Sequence, residues 1–240
     1  MGRAMQKRLV RKLDLEIALA KIEPHPHPKA HLEQYTIAPE VAAEILYIAA
    51  YTNNDITDKT ILDMGCGTGR LAIGGALLGA KEAVGIDIDK SAVKAAYNCA
   101  EKLGVKENTH WVVADIAAIR GTFDTVLQNP PFGVQKRKAD RRFLVKALEV
   151  GKRIYSLHKS SKEKLELARN SSKRDSCLGS ATPSPFLEKF IAEHGGEITA
   201  VYRMTMTIPR IFEFHTKRKH KFFVDLYLIE TRETGNHRNQ

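Results

Sequence analysis

Apolar residues recur at helical spacing over residues 7–23, where Leu9, Leu13, Ile17, Leu19 and Ala20 are separated by charges. A second apolar helix begins near Pro39 and runs to about Tyr51. From there the pattern alternates. Short apolar runs at 60–64, 82–87, 110–114, 123–128, 153–157, 197–204 and 222–230 read as strands. Helical patterns occupy 71–78, 90–103, 139–150 and 184–194, and Gly79, Gly104 and Gly195-Gly196 close three of them. Alternating strands and helices predict an α/β protein with a seven-stranded, doubly wound, largely parallel sheet. No helix separates the last two strands, so the last is expected to run antiparallel to its neighbours.

The polar stretches divide the chain. Pro24-His-Pro-His-Pro28 reads as an extended linker. Residues 158–183 are rich in Ser and Lys, and predict a partial helix at 162–169 followed by a mobile loop. Residues 208–221 form a polar, basic connection. The expected organisation is an N-terminal helix and linker (1–29), one domain (30–232) and a polar tail (233–240). The 240 residues and 43% hydrophobic content are enough for one large core.

Charge adds a partner. The net charge of +10 favours a polyanion such as RNA or DNA, the alternative being a generally basic, solvated surface. Basic clusters stand at Lys7, Arg8, Arg11 and Lys12, and at Lys136, Arg137, Lys138, Arg141 and Arg142. No apolar run reaches the roughly 18 residues of a membrane span, and the basic N-terminus lacks the apolar block of a signal peptide. A cytoplasmic location is expected. Cys66, Cys99 and Cys177 lack zinc-ligand spacing and read as reduced thiols. His25 and His27 have no partner motif, and no metal is expected.

Candidate chemistry lies at strand ends, where ligands bind in such sheets. The first strand runs into Asp63-Met-Gly-Cys-Gly-Thr-Gly69, whose glycines let a ligand lie against the main chain. Asp87, closing the second strand, can accept both hydroxyls of a ribose. Asp63 adds negative charge where a pyrophosphate would be repelled, so a cationic nucleoside, S-adenosylmethionine, fits better. Asp63 can equally serve as a structural carboxylate capping the loop. Asp115, after the third strand, is placed to accept from an adenine amino group. The fourth strand ends in Asn129-Pro-Pro-Phe132, which the prolines make rigid. The Asn129 side-chain oxygen and the Pro130 carbonyl can accept the two N–H groups of an exocyclic amine. Pro131 stiffens the turn, and Phe132 can stack on the amine's ring. A tight proline turn with a core phenylalanine is the bland alternative.

These two motifs resemble the Rossmann-like, class I methyltransferases that use S-adenosylmethionine, in particular the amino-methylating branch. More narrowly, the chain resembles the small archaeal and eukaryotic adenine-N6 methyltransferases that modify small-subunit ribosomal RNA. That likeness rests on Leu32-Glu-Gln-Tyr35, Gly85-Ile-Asp-Ile-Asp89, Phe123-Asp124, Asn129-Pro-Pro-Phe-Gly133 and Tyr155-Ser-Leu-His-Lys-Ser-Ser161, and covers about residues 30–161. It implies that Gln34 closes over the methionine part of the cofactor. Gly65, Thr68 and Arg70 would line it, Asp87 would hold the ribose, and Asp115 and Ile116 the adenine. It also implies a small zinc-binding activator protein added at the sheet edge near residues 110–114. The family often has Pro-Thr after the tyrosine where this chain has Thr36-Ile37, and residues 165–183 form a longer segment than usual.

His158 can contact the target base or be a strand-end histidine satisfied by backbone. Three rival activities stay open. A protein glutamine-N5 methyltransferase also uses Asn-Pro-Pro to hold a carboxamide. A DNA adenine methylase would need a separate target-recognition domain. A non-catalytic RNA-binding module would have a decayed cofactor pocket.

Overall fold

The structure, a computed structural model, describes residues 10–25, 28–29, 33–132, 139–160, 178–209 and 219–232. Helix α1 (Lys12–Ala20) is followed by α2 (Pro39–Tyr47), which continues as a π-helical turn (Ile48–Thr52). Then come β1 (Thr60–Met64), α3 (Arg70–Leu77), β2 (Glu82–Asp87), α4 (Lys90–Lys102), β3 (Thr109–Val113) and β4 (Phe123–Gln128). The chain goes on through α5 (Ala139–Val150), β5 (Gly151–Lys159), β6 (Leu178–Ser180), α6 (Pro185–Glu193), β7 (Gly196–Pro209) and β8 (Lys219–Thr231).

These strands form one sheet in the order β3-β2-β1-β4-β5-β8-β7-β6. The five strands β1 to β5 pair in parallel, whereas β8 is antiparallel to both β5 and β7. The expected doubly wound sheet with an antiparallel final strand is therefore what the chain forms. Alternate residues of β1 serve opposite faces, as the pleat requires. Ile61 joins a core built with α1, α2 and α3, and Leu62 and Met64 join one built with α5 and α6. Leu15, Leu19 and Ile22 lie in the first of these cores, and α1 packs against the helices α2 and α3.

The structure differs from the sequence reading at the far edge. An eighth strand, β6, pairs with β7 inside a stretch read as polar loop. Strands β7 and β8 also pair further than their apolar runs, from Ile198↔Ile229 out to Pro209↔Lys219. Backbone hydrogen bonding needs no apolar side chains, so a hairpin can continue beyond the core that its hydrophobic pattern marks. The predicted helix at 162–169, the mobile loop as far as residue 177, the basic residues Lys7, Arg8 and 136–138, His27, Cys177 and the 233–240 tail lie outside the described residues. Among the described residues, Cys66 and Cys99 are buried free thiols, and no helix is long and apolar enough to cross a membrane.

Candidate active site

The glycine loop after β1 is held against β2. Gly65 and Cys66 donate to the Ile86 carbonyl at 2.9 and 3.0 Å, and Gly69 donates to Cys66 at 2.8 Å. Gly65, Gly67 and Gly69 have φ of 69°, 53° and 82°, the left-handed region that glycine enters without steric cost. Asp63 is buried and accepts from the Ala72 amide at 3.0 Å, tying β1 to the first turn of α3. Burial, opposed by that hydrogen bond, pushes its carboxyl up to about 7, and the neighbouring Asp87 adds to the rise. Asp87 accepts amides from Gly67 and Asp89, both at 2.9 Å. Its carboxyl is also raised, chiefly by burial.

These groups surround an open pocket of about 220 Å3 at the carboxyl ends of the parallel strands. Gln34, Asp63, Gly65, Thr68, Arg70, Asp87, Asp115 and Ile116 all line it, as do Asn129 and Pro131 from the proline loop. Thr68 Oγ1 and Asn129 Oδ1 are buried and have no hydrogen-bond partner among the described residues. Such orphaned polar atoms are uncommon and call for a ligand or water.

The site residues play uneven parts. Arg70 lines the pocket, but its guanidinium donates to the backbone carbonyls of Ile37 and, at 2.6 Å, Ile22. Burial lowers it to about 10. Asp115 caps the short 3-10 turn Ile116–Ala118 by accepting from Ala117 at 2.8 Å, and Arg142 of α5 approaches the same oxygen at 3.3 Å. Pro130 is buried, and neither it nor Phe132 is part of the pocket wall. The Phe132 ring packs edge-on against Phe222 of β8, with centroids 5.8 Å apart.

His158 is not brought to the pocket. It is 5% exposed, its Nε2 lies 2.8 Å from Ser156 Oγ, and Ser156 Oγ accepts from Gln128 Nε2 at 2.8 Å. Burial lowers the imidazole to about 4, against the pull of Asp225, so it stays neutral. A side-chain hydroxyl, rather than the expected backbone group, satisfies it.

Sequence reasoning missed other members. Asp89, buried beside the pocket-lining Gln34, His25 and Ile88, is a hub that receives Ser91, Gln34, Lys29 and His25. The signal was available, since an aspartate just before a helical pattern is an N-cap. Ile88, 57% exposed, lines the pocket beside Asp87 and offers an apolar face. Phe143 of α5 and Trp111 of β3 crowd the glycine loop. A Cβ on Gly69 or on Gly85 would lie 2.4 Å from the Trp111 ring, and one on Gly65 3.0 Å from the Phe143 ring. No local pattern announces those contacts.

The pocket suits S-adenosylmethionine. Its inner wall carries Asp63 and Asp87, while Arg70 is spent on backbone carbonyls, so it attracts an ammonium or sulfonium and offers little to a phosphate. Asp87 keeps lone pairs for ribose hydroxyls, and Ile88 and Ile116 supply apolar surface for a purine.

The chain is similar to several known proteins. A family model described as ribosomal protein L11 methyltransferase matches residues 45–130, the span from α2 to the proline loop. A Methanocaldococcus jannaschii protein of uncharacterised function is 40% identical over 234 residues, covering 92% of this chain and 95% of its own. The zebrafish (Danio rerio) rRNA N(6)-adenosine-methyltransferase METTL5 is 38% identical over 154 residues, covering 62% of this chain and 74% of its own. Among solved structures, a candidate RNA methyltransferase from Pyrococcus horikoshii superposes with a TM-score of 0.77 at 34% identity, over 93% of this chain and 99% of its own. On those identities, which hold over most of the relatives' length, the chain belongs to the METTL5 family of rRNA N(6)-adenosine-methyltransferases and is an S-adenosylmethionine-dependent methyltransferase.

Proposed function

We propose that the protein methylates N6 of an unpaired or flipped-out adenine in RNA, and that the RNA is that of the small ribosomal subunit. The observation that carries this reading is Asn129 Oδ1, a buried acceptor without a partner among the described residues, at the pocket wall where β4 ends. The family relationship and the net charge of +10 support an RNA substrate.

When bound, S-adenosylmethionine supplies an electrophilic methyl group on a sulfonium. The protein's own part is positioning. Asn129, with the Pro130 carbonyl, accepts from the adenine amine and holds its nitrogen in line; alignment of this kind lowers a barrier by several kcal/mol. Pro130 and Pro131 keep the loop rigid, and Phe132 offers a ring to the base. On the cofactor side, Asp87 holds the ribose, and Asp115 and Ile116 the adenine. Gln34, Gly65, Thr68 and Arg70 line the methionine part, and Asp63 faces its cationic end. Asn129 is too weak a base to take the proton, which leaves to water after transfer.

A small zinc-binding activator at the sheet edge belongs to the same proposal. Edge strand β3 exposes Val112 and Val113 at 42% and 49%, and a sheet edge with apolar side chains invites another strand. Mass spectrometry of ribosomal RNA nucleosides, with and without the protein, tests the activity. N6-methyladenosine is expected only when the protein is present, and Asn129→Ala is expected to cut turnover strongly while leaving cofactor affinity intact. Label arriving on a protein glutamine instead, or a wild-type rate in Asn129→Ala, overturns the reading.

A further inference from the structure

The first turn of α5 forms one wall of the pocket mouth through Ala139, Arg142 and Phe143. The residue beside Arg142 is held in an unusual way. The guanidinium carbon of Arg141 lies 4.4 Å from the centroid of the Phe186 ring, on the first turn of α6, and Phe186 is 47% exposed. Arg142 is paired with Asp115, but no carboxylate among the described residues pairs with Arg141. A guanidinium is planar and carries its N–H donors in that plane, so one anchored over a ring has a rigid fork and a planar face to offer a ligand. The phenylalanine is half in water and stacks on Phe190 with centroids 5.8 Å apart, and the arginine has no carboxylate counter-charge among the described residues. The sequence around them is basic, with Lys136, Arg137, Lys138, Arg141 and Arg142 against Asp140 alone over 136–142.

We infer that Arg141, held over the Phe186 ring, binds the RNA nucleotide next to the target adenine, taking its base on the guanidinium face or its phosphate on the N–H fork. This rests on the adenine reading above and deepens it by extending the RNA footprint from the pocket onto the α5–α6 surface. Single-stranded RNA is the ligand that combines a planar ring with a neighbouring anion, and arginine planes stack on unpaired bases. The pair touches no reacting atom. Its contribution is to substrate binding.

Steady-state kinetics on two RNAs tests the assignment, one with several nucleotides on each side of an unpaired adenine and one lacking the flanks. Arg141→Ala is expected to raise KM for the flanked RNA about tenfold, and Phe186→Ala to raise it severalfold although the charge remains. Arg141→Lys is expected to recover only part, because it keeps the charge and loses the plane. For all three, kcat at saturating RNA, cofactor affinity by calorimetry and the thermal midpoint are expected to stay near wild type. The salt dependence of RNA binding should fall by about one unit of slope in Arg141→Ala. Unchanged KM on the flanked RNA in both Arg141→Ala and Phe186→Ala overturns the assignment, as does an equal rise on the unflanked RNA. Wild-type enzyme run in parallel separates the two readings. If it methylates adenine while the variants are indifferent, only the Arg141 assignment falls; if it leaves RNA unmethylated, the adenine reading falls with it.

Discussion

The side-chain amide of Gln34, in the pocket wall, donates to the buried Asp89 carboxylate at 3.1 Å, joining residues 55 positions apart. Lys29 Nζ reaches the same carboxylate at 3.0 Å and His25 Nε2 at 3.5 Å, while the Asp89 amide donates to Asp87 at 2.9 Å. One carboxylate thus fastens the segment before α2 to the strand end that holds the proposed ribose ligand. Arg70 makes the second fastening, through the carbonyls of Ile22 and Ile37.

Releasing that fastening is expected to loosen the cofactor. Asp89→Ala should weaken S-adenosylmethionine binding about tenfold and cost about 1 kcal/mol of stability as an N-cap of α4. Gln34→Ala should weaken binding with little effect on stability. Calorimetry and thermal melting separate the two. Burial alone would raise the Asp89 carboxyl, but hydrogen bonds from Ser91, Gln34 and Lys29 outweigh it and hold the group well below the usual carboxylate range. Its contribution to stability is therefore complete above about pH 4 and is lost as pH falls further. Asp89→Asn should flatten that acid limb of the melting curve.

Asp63 predicts a dependence of the opposite sign. Its carboxyl is raised to about 7, so the fold without cofactor holds a proton there that the unfolded chain has released. Stability from this group is present below the ordinary carboxylate pKa and is lost as pH climbs from about 4 toward 7. A cationic ligand favours the ionised form, so cofactor binding at pH 6 should expel a proton and tighten as pH rises through 7. Calorimetry in buffers of different ionisation enthalpy measures that proton. In Asp63→Asn, which retains an oxygen for the Ala72 amide, proton release at pH 6 should vanish.

Gly85→Ala should destabilise the protein by about 2 kcal/mol, because the added methyl group meets the Trp111 ring at 2.4 Å and forces a well-packed region apart. Pairing it with Trp111→Leu should recover part of the loss, since the two residues share one space and their effects do not add. Trp111 is the chain's one tryptophan. Its ring lies against Gly69 as well, so intrinsic fluorescence should change on cofactor binding, and a flat titration would argue that the glycine loop does not respond.

Ser156→Ala strips a buried hydroxyl from both Gln128 and His158 and should cost about 1–3 kcal/mol. His158 is held neutral, with its pKa lowered to about 4, so the fold should lose stability as pH falls from about 6.5 toward 4, where the unfolded imidazole takes a proton and the folded one resists. In His158→Gln that part of the slope should disappear. Urea midpoints across pH 4 to 7 would show it, and an unchanged slope would mean the imidazole charges without difficulty.

Much of the parallel half of the sheet was legible because its signals are local. The limits of β1, β2, β4 and α5 coincide with those expected from the sequence, and they stop at Gly65, Asp87, Asn129-Pro130 and Gly151. The placement of Asp63, Thr68, Asp87, Asp115 and Asn129 around one pocket follows from the same logic. Each ends or follows a parallel strand, and parallel strands present their carboxyl ends together. His158 shows where this reasoning stops. It also stands near a strand end, but the direction and burial of its side chain depend on Ser156, Asp225 and the neighbouring strand β8.

The amino-acid sequence by itself determined the order of elements, the glycine cradle, the acidic strand end and the Asn-Pro-Pro-Phe loop, because backbone freedom, hydrophobic period and proline stiffness act within a few residues of one another. Tertiary structure alone decided that Arg70 braces the chain from Ile22 to Ile37, that Asp89 gathers the segment over the pocket and that Trp111 fills the space beneath two glycines. It also decided that β6 pairs at the sheet's edge and that Arg141 lies on Phe186. Each of these joins groups distant in the chain, and their energies come from burial, charge pairing and close packing that exist only once the sheet has brought them together.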